Sequence, residues 1–178
     1  AITGASGCGK TTLVRMLLGF ISPQAGELLV DGIPLTQLAI RAYRRQLGVV
    51  MQTARLNPGS IYEVICGGVG HSEDEVWQAL EQAAIADEVR AMPMQLETLL
   101  SDSGGNLSGG QVQRIAIARA LITQPKVLIM DEATSALDNR SQERITQTIK
   151  GLGMTRISIA HRLSTIQQAD QIVILERN

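Results

Sequence analysis

The residues with the clearest chemistry lie near the start of the chain, where residues 4–11 match the pattern G-x-x-x-x-G-K-[ST] at every fixed position. Glycines allow backbone N–H groups to approach a phosphate closely, because no side chain stands in the way. Lys10 can reach the outer phosphates of a nucleotide, and the Thr11 hydroxyl can bind Mg²⁺. A glycine-rich turn before a core helix is the alternative interpretation. The pattern predicts a nucleotide-binding loop that contains Gly4, Ser6, Gly7, Cys8, Gly9, Lys10, Thr11 and Thr12.

Two adjacent acids, Asp131 and Glu132, follow an apolar run at residues 127–130. The run has the length and composition of a strand that is covered on both faces. Since side chains alternate along a strand, we expect the two carboxylates to point to different sides. Asp131 can then hold a hydrated Mg²⁺ while Glu132 polarises an attacking water. A solvated strand end is the alternative, and the phosphate-binding pattern in the same chain argues against it.

Residues 107–111, Leu-Ser-Gly-Gly-Gln, admit two interpretations. Ser108 and Gln111 fit a capping box, in which each side chain satisfies a free backbone donor at the start of a helix. Gly109 and Gly110 would expose backbone donors at the same place, where the positive end of the helix favours an anion. The five residues can therefore form a plain helix start or a second anion-binding site, and the other motifs have to decide between them.

With these motifs in this order, the chain resembles the nucleotide-binding domain of ABC transporters from residue 4 to residue 161. Residues 107–111 resemble the family signature, and residues 135–138 resemble the loop that communicates between two such domains. Gln52 matches the glutamine that joins the metal site to the transporter interface. His161 matches the histidine that contacts the γ-phosphate. Taken singly, Gln52 could be a surface amide and His161 a structural residue, but the order of all the motifs favours the family.

The resemblance implies an ATPase that works as a pair of domains. The expected cofactors are ATP and Mg²⁺, with each ATP held between the phosphate loop of one domain and the signature of the other. Hydrolysis would power export through a transmembrane domain, which is the second expected partner. The expected catalytic residues are Gln52, Glu132 and His161, and the expected metal ligands are Thr11, Gln52 and Asp131. The residues expected to contact nucleotide outside the loop are Ser108, Gly109, Gly110, Gln111 and Asp138.

The segment before the signature also resembles the exporters within this family. Residues 98–104 are similar to the exporter pattern T-x-V-G-E-x-G, with Ser101 and Asp102 in place of glycine and glutamate. Asp102 keeps the negative charge, so a contact to a basic coupling element of the transporter can survive. Residues 159–166 are exporter-like as well. A further resemblance, to bacterial peptide or bacteriocin exporters, is carried by residues 58–61 and 104–106.

Composition excludes several function classes. Hydrophobic residues make up 44% of the 178 residues, yet no run approaches the roughly 18 apolar residues of a membrane span. The formal net charge is −1 and aromatic residues are 2%, so we expect no nucleic-acid partner. No signal peptide is visible, and Cys8 and Cys66 make no disulfide framework, so we expect a soluble domain at the cytoplasmic face of the membrane. The alternative function is a soluble ABC ATPase of DNA repair or translation, but its coiled-coil insertions or tandem domains are not seen here.

The site residues need elements that bring them together. Strands and helices alternate along the chain, which predicts an α/β fold with a mainly parallel sheet flanked by helices. The carboxyl ends of such strands form the binding crevice of an open sheet, and the predicted site residues lie there. Two capping pairs, Ser60 with Glu63 and Ser72 with Glu75, predict helices between about 60 and 91. The predicted strands end near Thr3, Met51, Met130, Ala160 and Leu175.

The resemblance supplies the expected domain organisation. It implies one P-loop NTPase domain over residues 1–178, with a helical signature subdomain at about 58–120. A remnant of an antiparallel β subdomain is expected near residues 26–32. Compared with the family, the domain is expected to be truncated at both ends. We therefore expect the isolated chain to bind ATP weakly and to hydrolyse it slowly.

Overall fold

The computed structural model describes residues 1–101, 104–134, 136–160 and 163–176. Five strands form the central sheet, and every pair of neighbours in it is parallel. Two short antiparallel pairs, β2 with β3 and β5 with β6, lie outside it. The strands are β1 (Ile2–Gly4), β2 (Leu29–Val30), β3 (Ile33–Pro34), β4 (Leu47–Val50), β5 (Gly59–Ser60), β6 (Leu99–Leu100), β7 (Val127–Asp131), β8 (Thr155–Ile159) and β9 (Val173–Leu175).

The central sheet has the strand order β4-β7-β8-β1-β9, so the strand of the phosphate loop lies beside β8 and is separated from the acidic strand β7 by it. This arrangement confirms the predicted α/β class with a parallel sheet. Each predicted strand end lies within one residue of the observed end. The prediction succeeds best for β4, β7 and β9, which are short and largely apolar runs, whereas β8 also contains Thr155, Arg156 and Ser158.

Helices cover both faces of the sheet. Among the described residues, none of them is long and apolar enough to cross a bilayer. Two turns of 3₁₀ helix, Leu35–Gln37 and Gln95–Glu97, connect some of them. The helices are α1 (Lys10–Leu17), α2 (Ile40–Arg44), α3 (Ile61–Cys66), α4 (Glu73–Gln82), α5 (Ala86–Arg90), α6 (Gly109–Leu121), α7 (Asn139–Gly151) and α8 (Leu163–Gln167).

Strand β7 shows why the apolar runs are continuous rather than alternating. Leu128 and Met130 point into a large core that contains buried residues of α3 to α7. Ile129 points to the other face, into a smaller core with Val14 of α1 and Ile159 of β8. Because both faces are covered, every position of the strand must be apolar until the chain reaches the site. The acids follow at the strand end because only there does the chain reach a polar environment.

Serine caps define where the helices of the middle segment begin. Ser60 accepts a hydrogen bond from the backbone of Glu63, and the Glu63 carboxylate accepts one from the Ser60 backbone. The same reciprocal pair starts α4 at Ser72. Both predicted capping boxes are confirmed. The expected short β element is present as the β2–β3 hairpin, whose two turn residues have positive φ, as a tight two-residue hairpin turn requires.

Candidate functional site

The loop between β1 and α1 is shaped by glycines at the positions where a side chain would be excluded. Gly7 and Gly9 have φ of 80° and 101°, which L residues with a side chain rarely adopt. A Cβ on Gly4 would lie 2.4 Å from the carbonyl oxygen of Leu175 on the neighbouring strand β9. The loop therefore turns tightly between the sheet and the first turn of α1, and its backbone lines the space in front of that helix.

Lys10 holds its ammonium group against this loop. Its Nζ donates hydrogen bonds to the carbonyl oxygens of Gly4, at 2.8 Å, and Ala5, at 2.9 Å. The Cys8 sulfur lies 3.8 Å from the same nitrogen. Only 8% of the surface of Lys10 is exposed, so the surrounding fold fixes the position of its ammonium group. A positive charge fixed at the mouth of a glycine loop is suited to binding phosphate.

A cavity of about 360 Å³ joins the loop to residues from two other strands. It lies at the carboxyl ends of β4 and β7, where an open parallel sheet presents its crevice. A larger cavity, of about 820 Å³, lies elsewhere between α1 and α7 and has none of the predicted site residues in its lining. The smaller cavity is therefore the candidate site. Its lining consists of Ser6, Gly7, Gly9, Lys10, Thr11, Thr12, Gln52 and Glu132.

The acidic residue of the cavity is bound to an amide from the neighbouring strand. Gln52 Nε2 donates a hydrogen bond to Glu132 Oε2 at 2.8 Å, although the two residues are 80 positions apart. The register of the sheet explains the contact, because Val50 is paired with Met130 and each polar residue follows two positions later. Both residues lie at the carboxyl ends of parallel strands, where the site residues were expected, while their catalytic roles stay predictions.

Glu132 has a backbone conformation that few non-glycine residues adopt. Its φ is 49°, in the left-handed region, and its N–H donates to the carbonyl oxygen of Ile159 at 3.1 Å. The preceding residue, Asp131, is the last of β7 and is buried, with 6% of its surface exposed. The sharp change of direction after Asp131, rather than the strand alternation on which the prediction rested, turns the Glu132 side chain toward the cavity.

The five signature residues start α6 but do not line this cavity. Ser108 Oγ accepts a hydrogen bond from Gln111 N at 3.2 Å, and Gln111 Oε1 accepts one from Ser108 N at 2.9 Å. Gln111 also donates to Glu88 Oε2 on α5 at 2.9 Å. The capping box is therefore present. Gly109 and Gly110 form the first turn, where their backbone N–H groups add to the positive end of a 13-residue helix.

Glu88 anchors this helix start to α5. Its carboxylate also forms an ion pair with Arg114, whose side chain is 11% exposed. Arg114 in turn donates to the carbonyl oxygen of Ala84 at 2.9 Å. Burial raises the pKa of Glu88, but the hydrogen bonds from Arg114 and Gln111 outweigh it and hold the pKa below its usual value. The carboxylate is therefore charged near neutral pH and keeps α6 against α5.

Two predicted residues need separate comment. Asp138 caps α7, where its Oδ1 accepts a hydrogen bond from Ser141 N at 2.9 Å, and the hydrogen bonds at Ser141 lower the pKa of Asp138. His161 lies outside the described residues, as do Asp102 and Ser135 of the predicted exporter segment and dimer loop. The proposed contacts of Asp138 and His161 with nucleotide stay predictions.

Residues 113 and 114 were not singled out from the sequence. Gln113 is 3% exposed and bridges the backbone on both sides of the acidic turn, donating to Glu132 O at 3.4 Å and accepting from Ala136 N at 3.0 Å. A signal was present, because Gln113 is a polar residue inside a helix that is otherwise buried on most sides. Its partners, however, are 19 and 23 positions away in sequence.

The polar groups of the cavity suit the phosphates of a nucleotide. The cavity combines glycine backbone with open approach, one fixed ammonium group and a hydroxyl at Thr11, and a carboxylate lies across from them. Among the described residues, no group of three His, Cys, Asp or Glu side chains could hold a metal by itself. A hard cation here would therefore depend on phosphate oxygens and on waters, as Mg²⁺ usually does.

Residues 1–135 match the ABC transporter family. The colicin V secretion/processing ATP-binding protein CvaB of Escherichia coli is 47% identical over 97% of this chain and 25% of its own length. The ATP-dependent lipid A-core flippase of Burkholderia orbicola is 46% identical over 99% of this chain and 30% of its own length. The chain thus spans less than a third of either relative.

A solved structure of a bacterial Atm1-family ABC exporter with ATP bound superimposes with a TM-score of 0.94 at 42% identity. It covers 98% of this chain and 31% of that protein. Family match, curated relatives and solved structure agree with each other and with the geometry of the cavity. The chain therefore belongs to the ABC transporter family.

Proposed function

We propose that this chain binds ATP with Mg²⁺, pairs with a second nucleotide-binding domain around that ATP, and so drives export by an ABC transporter. The observation that carries the proposal is the Gln52–Glu132 hydrogen bond at the cavity that Lys10 also lines. It places a carboxylate and a polar amide opposite a fixed positive charge. That combination suits an attack by water on a bound phosphate. The carboxylate and the amide can orient the water, and the ammonium group can stabilise the negative charge on the phosphate.

The roles follow from chemistry and position. Lys10 and the loop backbone bind the phosphates, and Thr11 with Asp131 holds Mg²⁺, the latter through water. When bound, Mg²⁺ neutralises charge on the phosphate oxygens. Glu132 accepts a proton from the attacking water, and Gln52 orients the Glu132 carboxylate through the hydrogen bond of 2.8 Å. We assign His161 to the γ-phosphate on the resemblance alone.

Pairing explains why the signature lies outside the cavity of its own chain. The N-terminus of α6 is formed by Ser108, Gly109 and Gly110, and none of these three residues lines the cavity. A helix of this length attracts an anion at its N-terminus. We propose that the anion is the γ-phosphate of the partner's ATP, with Gln111 holding the cap and Asp138 near the interface. Hydrolysis then removes the shared contacts, and the pair opens.

The transmembrane partner, the location and the cargo are inferred from the relatives. The two relatives described above are a secretion protein and a flippase, and they are about three to four times as long as this chain. We propose that a transmembrane domain is the second partner and that the chain acts on the cytoplasmic face of the membrane. We also propose that residues of about 58–120 form the subdomain that carries the signature. The similarity to CvaB favours a peptide cargo. An ATPase of DNA repair or translation is not favoured, because the two relatives and the solved structure described above are a secretion protein, a flippase and an exporter.

Replacing Glu132 tests the proposal directly. Glu132→Gln keeps an oxygen that can accept from Gln52 but removes the base, so turnover should fall by about 10²-fold or more. ATP-dependent pairing should be retained, because the phosphate contacts are intact. Phosphate release measures the first effect, and size-exclusion chromatography with ATP and Mg²⁺ measures the second.

Glu143→Gln, at an exposed carboxylate on α7, is the matched control and should leave both measurements unchanged. Two results would contradict the proposal. One is hydrolysis by Glu132→Gln at the wild-type rate. The other is a variant that stays monomeric at saturating ATP and Mg²⁺.

A further inference from the structure

Gln113 is a buried amide that joins α6 to the backbone of Glu132 and Ala136 in the turn after β7. We call this turn the catalytic turn, because Glu132 is the proposed base. Its side-chain nitrogen donates to the carbonyl oxygen of Glu132 at 3.4 Å, and its side-chain oxygen accepts from the N–H of Ala136 at 3.0 Å. Only 3% of the residue is exposed. Both ends of the amide are therefore used inside the protein, where an unsatisfied polar group would be costly.

The two hydrogen bonds of Gln113 lie at either end of the turn that orients the side chain of Glu132, the proposed base. Glu132 has φ of 49°, so its peptide groups must be held in place by neighbours. Its N–H is held by the carbonyl oxygen of Ile159 at 3.1 Å, and its C=O is held by Gln113 at 3.4 Å. Strand β8 therefore holds one side of this residue and helix α6 holds the other.

The same helix carries the signature at its first turn. Ser108 is five positions before Gln113, which corresponds to about 7.5 Å along a helix. The Gly110 position also packs against the catalytic turn, since a Cβ there would lie 3.4 Å from the Ala136 carbonyl oxygen. Helix α6 thus carries the signature at its start and contacts the turn of the proposed base within its first two turns.

We propose that Gln113 is a positioning residue, which couples occupation of the signature end of α6 to the orientation of Glu132 in the same chain. This inference rests on the proposed pairing, in which the signature binds the phosphate of the partner's ATP. When that phosphate draws α6 into place, Gln113 draws the Glu132 carbonyl with it. The base of one site is then aligned only when the other site is filled. A coupling of this kind needs differential contacts in the two states, and the Gln113 amide supplies them.

A purely structural role is the competing explanation, since Gln113 also satisfies two buried backbone groups. The two explanations predict different kinetics. A structural residue should affect folding and all kinetic constants together. A positioning residue should lower kcat while ATP affinity and pairing stay nearly unchanged.

The test uses the intact protein that carries this chain, with three single variants. Gln113→Met keeps the length of the side chain but loses both hydrogen bonds. Gln113→Glu keeps the acceptor for Ala136 N and loses the donor for Glu132 O. Ile115→Val removes one methylene from a fully buried neighbour on the same helix and is the control for general loosening. We expect Gln113→Met to lower kcat about tenfold or more, with ATP affinity and ATP-dependent pairing within about twofold of wild type.

Acid should rescue the carboxyl variant. A protonated carboxyl group carries an O–H donor and a C=O acceptor, as the glutamine amide does. Burial raises the pKa of a carboxyl group, so the introduced group should regain its proton at mildly acidic pH. The kcat of Gln113→Glu relative to wild type should therefore rise as the pH falls. Gln113→Met and Ile115→Val should show no such recovery.

A double variant tests the coupling itself. If Ser108 and Gln113 act along one path, Ser108→Ala combined with Gln113→Met should lose less kcat at saturating ATP than the product of the two single losses. Losses that multiply would overturn the coupling. Normal turnover of Gln113→Met, equal loss in Ile115→Val, or absence of acid rescue would overturn the positioning role while leaving the ATPase proposal standing. A wild-type protein that neither hydrolyses ATP nor pairs would overturn both proposals.

Discussion

At the scale of single residues, two charges define the site, and the backbone holds each of them. Lys10 is held by two carbonyl oxygens of its own loop, and Glu132 is held by a left-handed turn. A non-glycine residue in that region costs on the order of 1–3 kcal/mol, which the surrounding contacts must offset. The cost is understandable for the proposed base, because the strained turn aims the carboxylate at the cavity instead of letting it follow the strand.

Removing the ammonium group of Lys10 should weaken nucleotide binding. Lys10→Ala deletes the charge at the cavity mouth without changing the glycines, so ATP affinity should fall about tenfold or more, because a charge-assisted contact to phosphate is lost. Isothermal titration calorimetry measures the change. Lys126→Ala, at an exposed lysine before β7, is the control. Equal affinity in wild type and Lys10→Ala would refute the assignment of this lysine.

At the scale of elements, α6 is the most connected helix of the described part of the chain. Its first turn carries the signature, and its next turn carries Gln113 and Arg114. Glu88 of α5 receives hydrogen bonds from Gln111 and Arg114, so it fixes the helix start from outside. An ion pair whose arginine is largely buried contributes more than an exposed one, although the Glu88 side chain is itself 41% exposed and therefore partly screened.

The ion pair predicts a pH dependence of stability. Because the folded-state pKa of Glu88 is lowered, its contribution is present above the ordinary carboxyl pKa and is lost as the pH falls through the folded-state value. Glu88→Gln should therefore lower the melting temperature at pH 7, and the difference from wild type should shrink in acid below about pH 4. Thermal unfolding at several pH values measures this difference.

Glu97→Gln is the matched control for Glu88→Gln. Glu97 is exposed and has no ion pair among the described residues, so its replacement should leave the melting temperature unchanged at every pH. A Glu88→Gln effect that is the same at pH 7 and in acid would show that the carboxylate charge does not stabilise α6.

At the scale of the whole molecule, the proposed pairing rests on two separate groups of residues. The cavity holds the groups proposed to bind phosphate in the same chain, and the signature presents those proposed to bind the partner's phosphate on another part of the surface. The two groups of one chain do not line a common cavity among the described residues. Two chains in opposite orientation would place each signature over the other's loop, as closed two-fold symmetry allows.

Two serine caps allow this arrangement to be tested. Ser108→Ala and Ser72→Ala each remove one capping box of the same geometry, so both should destabilise the fold by about 1 kcal/mol. Only Ser108→Ala should also weaken ATP-dependent pairing, because only that serine is proposed to face the partner's phosphate. Analytical ultracentrifugation with ATP and Mg²⁺ measures pairing. Equal pairing by both variants would count against the two-chain site.

Much of the site was predictable because it depends on local patterns. Residues 4–11 predict a loop through their glycine spacing, and the apolar runs predict strands that end at the site. The strand ends before Gln52 and Glu132 were predictable too, but the pairing of β4 with β7, which brings the two residues together, was not. The capping box at Ser108 was one of two interpretations, and it is observed without excluding the anion site.

The contacts of α6 were not predictable in the same way. Gln113 and Arg114 bind partners that lie between 19 and 30 positions away. Such partners depend on how α6 lies against α5 and β7, which no local spacing encodes. A sequence shows that a polar residue interrupts a buried helix, but it does not show which backbone group meets it.

The sequence by itself determined the chemistry of this protein: a phosphate loop, an acidic strand end and a signature, in the order of one family. Each of these features depends on a short stretch of at most eight residues and on the period of strand and helix, so it can be read without coordinates. Only the tertiary structure decided that Glu132 turns left-handed, that Gln52 reaches it, and that Gln113 ties it to α6. These contacts arise when packing brings distant segments together, and their geometry is set by the whole core.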